Sequence, residues 1–263
     1  MKGTPVVQSI SLYPIKSLDP LMVEAARVLP SGALEHDREF ALFDAQGKVI
    51  NGKREASIHR VRAFYDLKEF SVRLNDSKAF HLISARQEIE GWFSTFLGIS
   101  VSMMRNIETG FPDDLESPGP TIVSSATLRE VSAWFGIADP QETRRRFRAN
   151  IEIAADEAFW EDRLFTEAGT TLEFRIGDVT ILGVNPCQRC AVPSRDPSTG
   201  SVTPEFQRMF SEKREEGLPP WATKSRFNHY YRLAVNTRIP ASQAGRLIRV
   251  GSEVSQEERA GAL

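Results

Sequence analysis

Cysteine is the scarcest residue with chemistry to offer in this 263-residue chain: there are two, Cys187 and Cys190, beside four scattered histidines. Two thiols cannot build a disulfide framework, and a cysteine-poor chain fits a reducing compartment, so a cytoplasmic location is expected. Long hydrophobic runs are missing as well, and nothing approaches the ~18 apolar residues of a membrane span. The opening string MKGTPVVQSISLYPIKS has neither the apolar core of a secretory signal nor an Arg-rich amphipathic pattern. Nor is there an excess of charge of one sign, since 33 basic and 35 acidic side chains leave a formal net charge of −2. That balance excludes bulk attraction to nucleic acid or anionic membrane; neither is expected as a partner, and any anion site must be local. No internal repeat, low-complexity tract or Gly-x-Gly-x-x-Gly dinucleotide fingerprint occurs.

What is present is a globular pattern, 41% hydrophobic and 26% charged. From Val6 to Leu82 short runs rich in β-branched and aromatic residues alternate with turn signals such as Ser31-Gly32, Gln46-Gly47 and Asn75-Asp76. Phe40–Phe43 and Lys48–Ile50 read as the arms of a hairpin. The period then changes: Ile89, Trp92, Phe93, Phe96 and Leu97 form a helical stripe from Ala85 to Leu97 that Gly98 can end. Gly110–Pro120 reads as a loop. Beyond it the pattern predicts a strand at Thr121–Val123, a helix over Thr127–Phe135, and strands near Asn150–Ile153, Leu172–Phe174, Val179–Val184, Tyr230–Val235 and Leu247–Val250. A polar helix covers Pro204–Arg214. The expectation is a predominantly β (α+β) protein of two β-rich domains with a few covering helices, divided at 1–84, a linker helix and strand at 85–109, and 110–263.

The string most charged with chemistry is Asn185-Pro-Cys187-Gln-Arg189-Cys190-Ala-Val-Pro193-Ser-Arg195-Asp196-Pro197-Ser-Thr-Gly200. A Cys-x-x-Cys pair suggests structural zinc, but tetrahedral zinc needs four ligands and no second pair or His-x₃₋₅-His follows. A thioredoxin-like pair needs a helix after its first cysteine, which Pro193 and Pro197 oppose. Two buried cysteines acting as small hydrophobes is the plain alternative. Against it, Arg189 and Arg195 flank Cys190 and favour the thiolate that a soft metal binds. Asp196–Gly200 has the residues of a tight turn.

These residues resemble the MOSC-domain family preceded by a MOSC N-terminal β-barrel domain, similar to the mitochondrial amidoxime-reducing component and its bacterial relatives. The resemblance covers nearly the whole chain. It implies a MOSC β-barrel core and a molybdenum cofactor (Mo-molybdopterin), with Cys190 as the metal ligand of a Cys-x-Arg-Cys-x₅-Asp-Pro-x-Thr-Gly string. Tyr13-Pro-Ile-Lys16-Ser17, Asp37-Arg38 and Phe147-Arg148-Ala-Asn150-Ile match further family strings, so Lys16, Ser17, Arg38, Arg148 and Asn150 are implied cofactor contacts, with Arg189 beside Cys190. The set is chemically apt: phosphate calls for cations, and an Asn amide suits a pterin edge.

Ser124, Ser125 and Thr127 open a helix, with Thr127 and Glu130 spaced as a capping box, and become candidate phosphate contacts at its N-terminus. Thr127 as a mere cap is the simpler alternative. Asp196 is a candidate for supporting the metal site or handling protons, and Arg144-Arg145-Arg146 reads as a solvated face outside the site.

The activity implied is two-electron reduction of N-hydroxylated compounds by N–O cleavage. Two cysteines cannot hold an iron–sulfur cluster, so electrons would come from a separate ferredoxin-like protein, or a cytochrome with its reductase. Neither the membrane anchor of the mitochondrial relatives nor a ferredoxin-like domain is expected from this sequence. Two rivals stand beside this reading: a carrier of molybdenum cofactor, or of sulfur for it, without turnover of its own, and a metal-free interaction protein.

Overall fold

The computed structural model describes residues 3–256. Strand β1 (Val6–Leu12) has the sequence VVQSISL, whose alternation puts Val7, Ile10 and Leu12 inside. It is followed by β2 (Leu21–Val23), β3 (Ala25–Arg27), β4 (Phe40–Asp44), β5 (Ala63–Asp66), β6 (Ser71–Leu74) and β7 (Ala79–His81). Helix α1 (Arg86–Leu97) buries Ile89 and Phe93 and stops at Gly98, whose φ of 69° is the left-handed cap that glycine takes without strain. Then come β8 (Val101–Arg105), β9 (Ile122–Ser124), α2 (Ser125–Trp134), α3 (Pro140–Phe147), β10 (Ile151–Ala154), β11 (Leu172–Ile176) and β12 (Val179–Gln188). Helix α4 (Phe206–Glu216), β13 (Arg232–Arg238), β14 (Leu247–Arg249) and β15 (Val254–Ser255) complete the described chain. The fold is β-rich, with 15 strands and four α-helices among the described residues.

One core lies between β4–β8, the β5–β6–β7 sheet and α1, with Leu42, Val72, Ile89, Phe93 and Met103 at its centre. The larger sheet runs β15-β11-β12-β13-β9-β10-β1-β2. Its ends meet: Val7 N donates to Ser252 O at 2.8 Å and Val254 N to Pro5 O at 2.8 Å, so the sheet curls on itself around Ile10, Ile151, Phe174, Ile181 and Val235. Helices α2, α3 and α4 cover one side through Val131, Phe147, Phe206 and Phe210.

Strands from the first 84 residues also enter the sheet of the later segment. Strands β1 and β2 join the larger sheet, where β1 pairs antiparallel with β10, and β3 pairs with β14. The expected hairpin forms, with Phe43 bridging Val49 antiparallel, Asp44 N donating to Lys48 O at 2.9 Å and Ile50 N to Leu42 O at 2.8 Å, while the longer ladder of β4 is with the distant β8. Strand β12 runs on past Val184 to Gln188. It accommodates Pro186, which has no N–H to give, because the ladder to β13 is irregular at Pro186/Gln188. Helix α3 was not expected, although Asp139 caps it and Pro140 sits in its first turn.

Candidate functional site

A cavity of about 630 Å³ opens where the two β regions meet. Eight lysines and arginines line it against four aspartates, a local positive excess in a chain that is slightly acidic overall. Its wall takes Lys16, Ser17 and Arg38 from the loops after β1 and β3, Arg148 and Asn150 from the α3–β10 junction, and Cys187, Arg189 and Cys190 from the end of β12. Residues 130 positions apart thus meet because β1 pairs with β10.

The backbone aims these groups. Ser17, Arg38 and Arg148 all have positive φ (74°, 52° and 54°), and Arg148 is the left-handed cap that ends α3. Tyr13 is buried with the guanidinium of Arg38 5.1 Å and that of Arg148 4.2 Å from its ring centre. Asp37 fixes the other side, accepting from Tyr13 N at 2.9 Å and from Arg38 Nη1. Arg148 Nη2 donates to Leu18 O at 2.7 Å. Burial lowers the Arg148 pKa, with the Tyr13 contact opposing and the Arg38 charge adding to the effect.

Lys16 is buried, with Nζ donating to Phe111 O at 2.7 Å and Asp113 Oδ1 at 2.9 Å. Desolvation lowers the Lys16 pKa while Asp113 raises it. On the Asp113 side burial would raise the carboxyl, but Lys16 prevails and holds it at about 2. Asn150 reaches the cavity with its amide largely committed: Nδ2 donates to Ser11 O at 3.1 Å, and Oδ1 accepts from Thr121 N at 3.2 Å and Arg38 Nη1 at 3.4 Å. It stitches β1 to the β9 edge and holds Arg38 in place.

Both cysteines are free and half-buried in the cavity wall. Arg189 does not sit on Cys190 as its place in the sequence suggested; Nη1 donates to Cys187 Sγ at 3.2 Å and Nη2 to Phe147 O. Cys190 Sγ accepts from Val192 N at 3.5 Å. Arg195 is also turned away from the thiols, donating to Gly200 O at 2.9 Å.

Asp196, expected to support the metal site or to handle protons, is turned into the loop that follows Cys190. Its Oδ1 accepts from Ser198 N and Thr199 N, each at 2.8 Å, and it does not line the cavity. Partial burial raises its pKa, but these amide donors outweigh burial and keep it a carboxylate below the ordinary range. It builds the turn, whose Gly200 has φ of 79° and lies so close to Ala56 O that a Cβ would approach to 2.3 Å.

Ser124, Ser125 and Thr127, expected as phosphate contacts, lie elsewhere. All three are buried outside the cavity, and the mouth of α2 is filled from within. The cap is Ser124, whose Oγ accepts from Thr127 N at 3.1 Å, while Glu130 is bonded to Trp134 Nε1 at 2.9 Å and takes no part. Glu161 Oε2 accepts from Ser124 N at 3.2 Å and Thr127 Oγ1 at 2.9 Å, so the helix mouth is already occupied by a carboxyl group of the protein itself. Burial, then the charge of Asp162, pushes the Glu161 pKa up to about 7.

Sequence reasoning missed several wall residues. Arg145 and Arg62 both donate to Pro197 O, at 2.7 and 3.0 Å, tying the turn after Cys190 to the first β region. Asp19 Oδ1 accepts from Arg62 Nη1 at 3.1 Å. Arg146 is buried and donates to the carbonyls of Pro193 and Arg195 at 3.0 and 2.9 Å. The Arg triplet is therefore structural rather than a solvated face. His59 stands over Gly52, where a Cβ would meet its Nε2 at 2.6 Å.

Among the described residues no helix is long and apolar enough to cross a membrane. The model of the MOSC N-terminal beta barrel domain matches residues 4–86 and that of the MOSC domain matches residues 121–255. The chain is 25% identical over 251 residues to a molybdenum cofactor sulfurase of Drosophila mojavensis, covering 81% of this chain and 31% of the relative. The human molybdenum cofactor sulfurase is 24% identical, with 81% of this chain and 29% of the relative covered. The mitochondrial amidoxime reducing component 2 of Bos taurus is 26% identical over 242 residues, covering 74% of this chain and 68% of the relative. The chain thus spans about a third of the sulfurases' length. Among solved structures, the YuaD protein from Bacillus subtilis aligns over 97% of this chain and 96% of its own, at 9% identity and a TM-score of 0.39. With the second match spanning more than half the chain and the first covering the segment that supplies Lys16 and Arg38, the protein belongs to the MOSC family.

Proposed function

We propose that the cavity binds a molybdenum cofactor through Cys190 and that the protein reduces N-hydroxylated compounds by two-electron N–O cleavage. The observation that carries this reading is a free thiol, Cys190, in the wall of a cavity with an excess of cations. The residues fit such a group. The buried Nε atoms of Arg189 and Arg232, both on the cavity wall, have no protein partner, which suits an anionic ligand. Among the described residues no cluster of three His, Cys, Asp or Glu could hold a metal, so a metal at Cys190 would draw its remaining ligands from the cofactor or solvent.

When bound, the cofactor supplies a two-electron redox centre competent to accept an oxygen atom. The protein's part is binding and orientation. Cys190 anchors the metal, Lys16, Arg38 and Arg148 hold the anionic portion, and the Arg62–Pro197–Arg145 tie keeps the segment after Cys190 in place. Electrons reach the site from a separate ferredoxin-like protein, or a cytochrome with its reductase.

The experiment is anaerobic turnover of protein purified from a molybdate-supplied host, with bound molybdenum and pterin quantified first. Benzamidoxime should yield the amidine with a reduced viologen donor and not with NADH alone. Loaded protein that is inert with viologen, but passes its cofactor to an apo-enzyme, would replace reduction with the carrier function. The sulfurase relatives are the observation that keeps the carrier reading in play.

A further inference from the structure

We infer that Asp113 is a resident anion that occupies the Lys16 subsite and must give it up to a phosphate-bearing ligand, so that Asp113 sets the affinity of the cavity for such ligands. This rests on the reading of the cavity as an anion site. The Lys16 side chain is only 10% exposed, whereas that of Asp113 is 67% exposed on the rim. A buried ammonium needs an anion beside it, and Asp113 is the carboxylate that pairs with Lys16 among the described residues. Lys53 Nζ lies 4.0 Å from the same oxygen.

The loop that carries Asp113 is fastened at its ends. Phe111 N donates to Arg38 O at 2.8 Å and Gly119 N to Thr237 O at 3.1 Å. Gly110 lies so close to Asp37 O that a Cβ would approach to 2.4 Å. The middle combines a local turn, in which Asp114 Oδ1 accepts from Glu116 N at 2.9 Å and Ser117 N at 3.2 Å, with a bond from Arg238 Nε to Glu116 O at 2.5 Å, and Leu115 is 78% exposed. The Asp113 carboxylate itself is held at the cavity by Lys16 and Lys53, while the loop beyond it is anchored separately. A phosphate arriving at Lys16 either shares it with a carboxylate of like charge or displaces that carboxylate outward. Displacement costs an ion pair with one exposed partner, whereas sharing places two anions on one ammonium.

The test uses inorganic pyrophosphate as the probe, titrated calorimetrically into the full chain and into Asp113→Asn and Asp114→Asn variants, whose folding is checked by thermal melts. Both variants remove one negative charge from the wall, but only the first frees Lys16. Asp113→Asn should bind pyrophosphate roughly fivefold more tightly, and Asp114→Asn should change affinity much less. In the unmutated protein, hydrogen exchange at residues 112–116 should speed up when pyrophosphate is added. Weaker or unchanged binding in Asp113→Asn, equal gains in both variants, or greater protection of the loop on binding would each overturn the inference. Absence of pyrophosphate binding in all three proteins would also overturn it, and the molybdenum and pterin content of the purified chain then reports separately whether the cofactor reading survives.

Discussion

The mouth of α2 and the cavity between the β regions both promise to hold an anion, and they obtain it from different sources. At α2 the place is filled by the protein's own Glu161 carboxyl, which accepts from Ser124 N and Thr127 Oγ1 where solvent is excluded. In the cavity the cations outnumber the aspartates and two guanidinium Nε atoms stay unpartnered. A helix start with hydroxyls is thus a statement about local donors; whether a ligand can use them depends on what the rest of the chain folds over them.

The largest effect that would break this contrast is at the thiols. Cys190→Ser should lose bound molybdenum and turnover altogether, whereas Cys187→Ser should keep both, measured by elemental analysis and amidine formation. Equal loss in a folded Cys187→Ser protein would reassign the ligand.

The closed site predicts a pH signature. Because the folded-state pKa of Glu161 is raised from 4.5 to about 7, the folded protein binds its proton more tightly than the unfolded chain does. The contribution of this group to stability is therefore greatest below pH 4.5 and is lost as pH rises towards 7, by up to about 3 kcal/mol. Glu161→Gln should gain on the parent protein by that order between pH 4.5 and 7.5 in urea melts. A stability difference that stays constant across the range would contradict the assignment.

In the open site, Arg148→Ala should weaken pyrophosphate binding by roughly tenfold, as expected for one charge-assisted contact. Ser124→Ala sharpens the comparison from the other side. It removes a helix cap and should cost about 1 kcal/mol of stability in the same melts while leaving pyrophosphate affinity unchanged. Loss of binding in Ser124→Ala would mean that the mouth of α2 communicates with a ligand after all.

Local signals were the legible ones. Alternation and turn residues marked most strands, the stripe of Ile89, Phe93 and Leu97 with Gly98 marked α1, and the strings around Lys16, Arg38, Arg148 and Cys190 named groups that the fold brings to one cavity. Pairings between distant segments were not legible. Nothing in Glu161 announces that it will cap a helix that begins 36 residues earlier, and nothing in Arg62 or Arg145 announces the shared carbonyl of Pro197. Arg144–Arg146 misled because three consecutive cations suggest solvent; on α3 they point in different directions, Arg144 to Glu152 at 2.6 Å and Arg146 to buried carbonyls.

The pairing of β1 with β10 also bears on how the protein comes to be folded. The strand that covers the β10 edge is synthesised well before its partner, some 140 residues earlier, so the larger sheet cannot complete its pairing until that later segment has been made. During that interval β1 and β2 have only each other, and after it a fragment comprising residues 110–263 would present β10 as a bare edge ready to pair with another copy. A cut at the linker would therefore separate β1 and β2 from their sheet. Adding a peptide of residues 3–24 to the 110–263 fragment should suppress its aggregation, because that peptide carries both strands missing from the sheet.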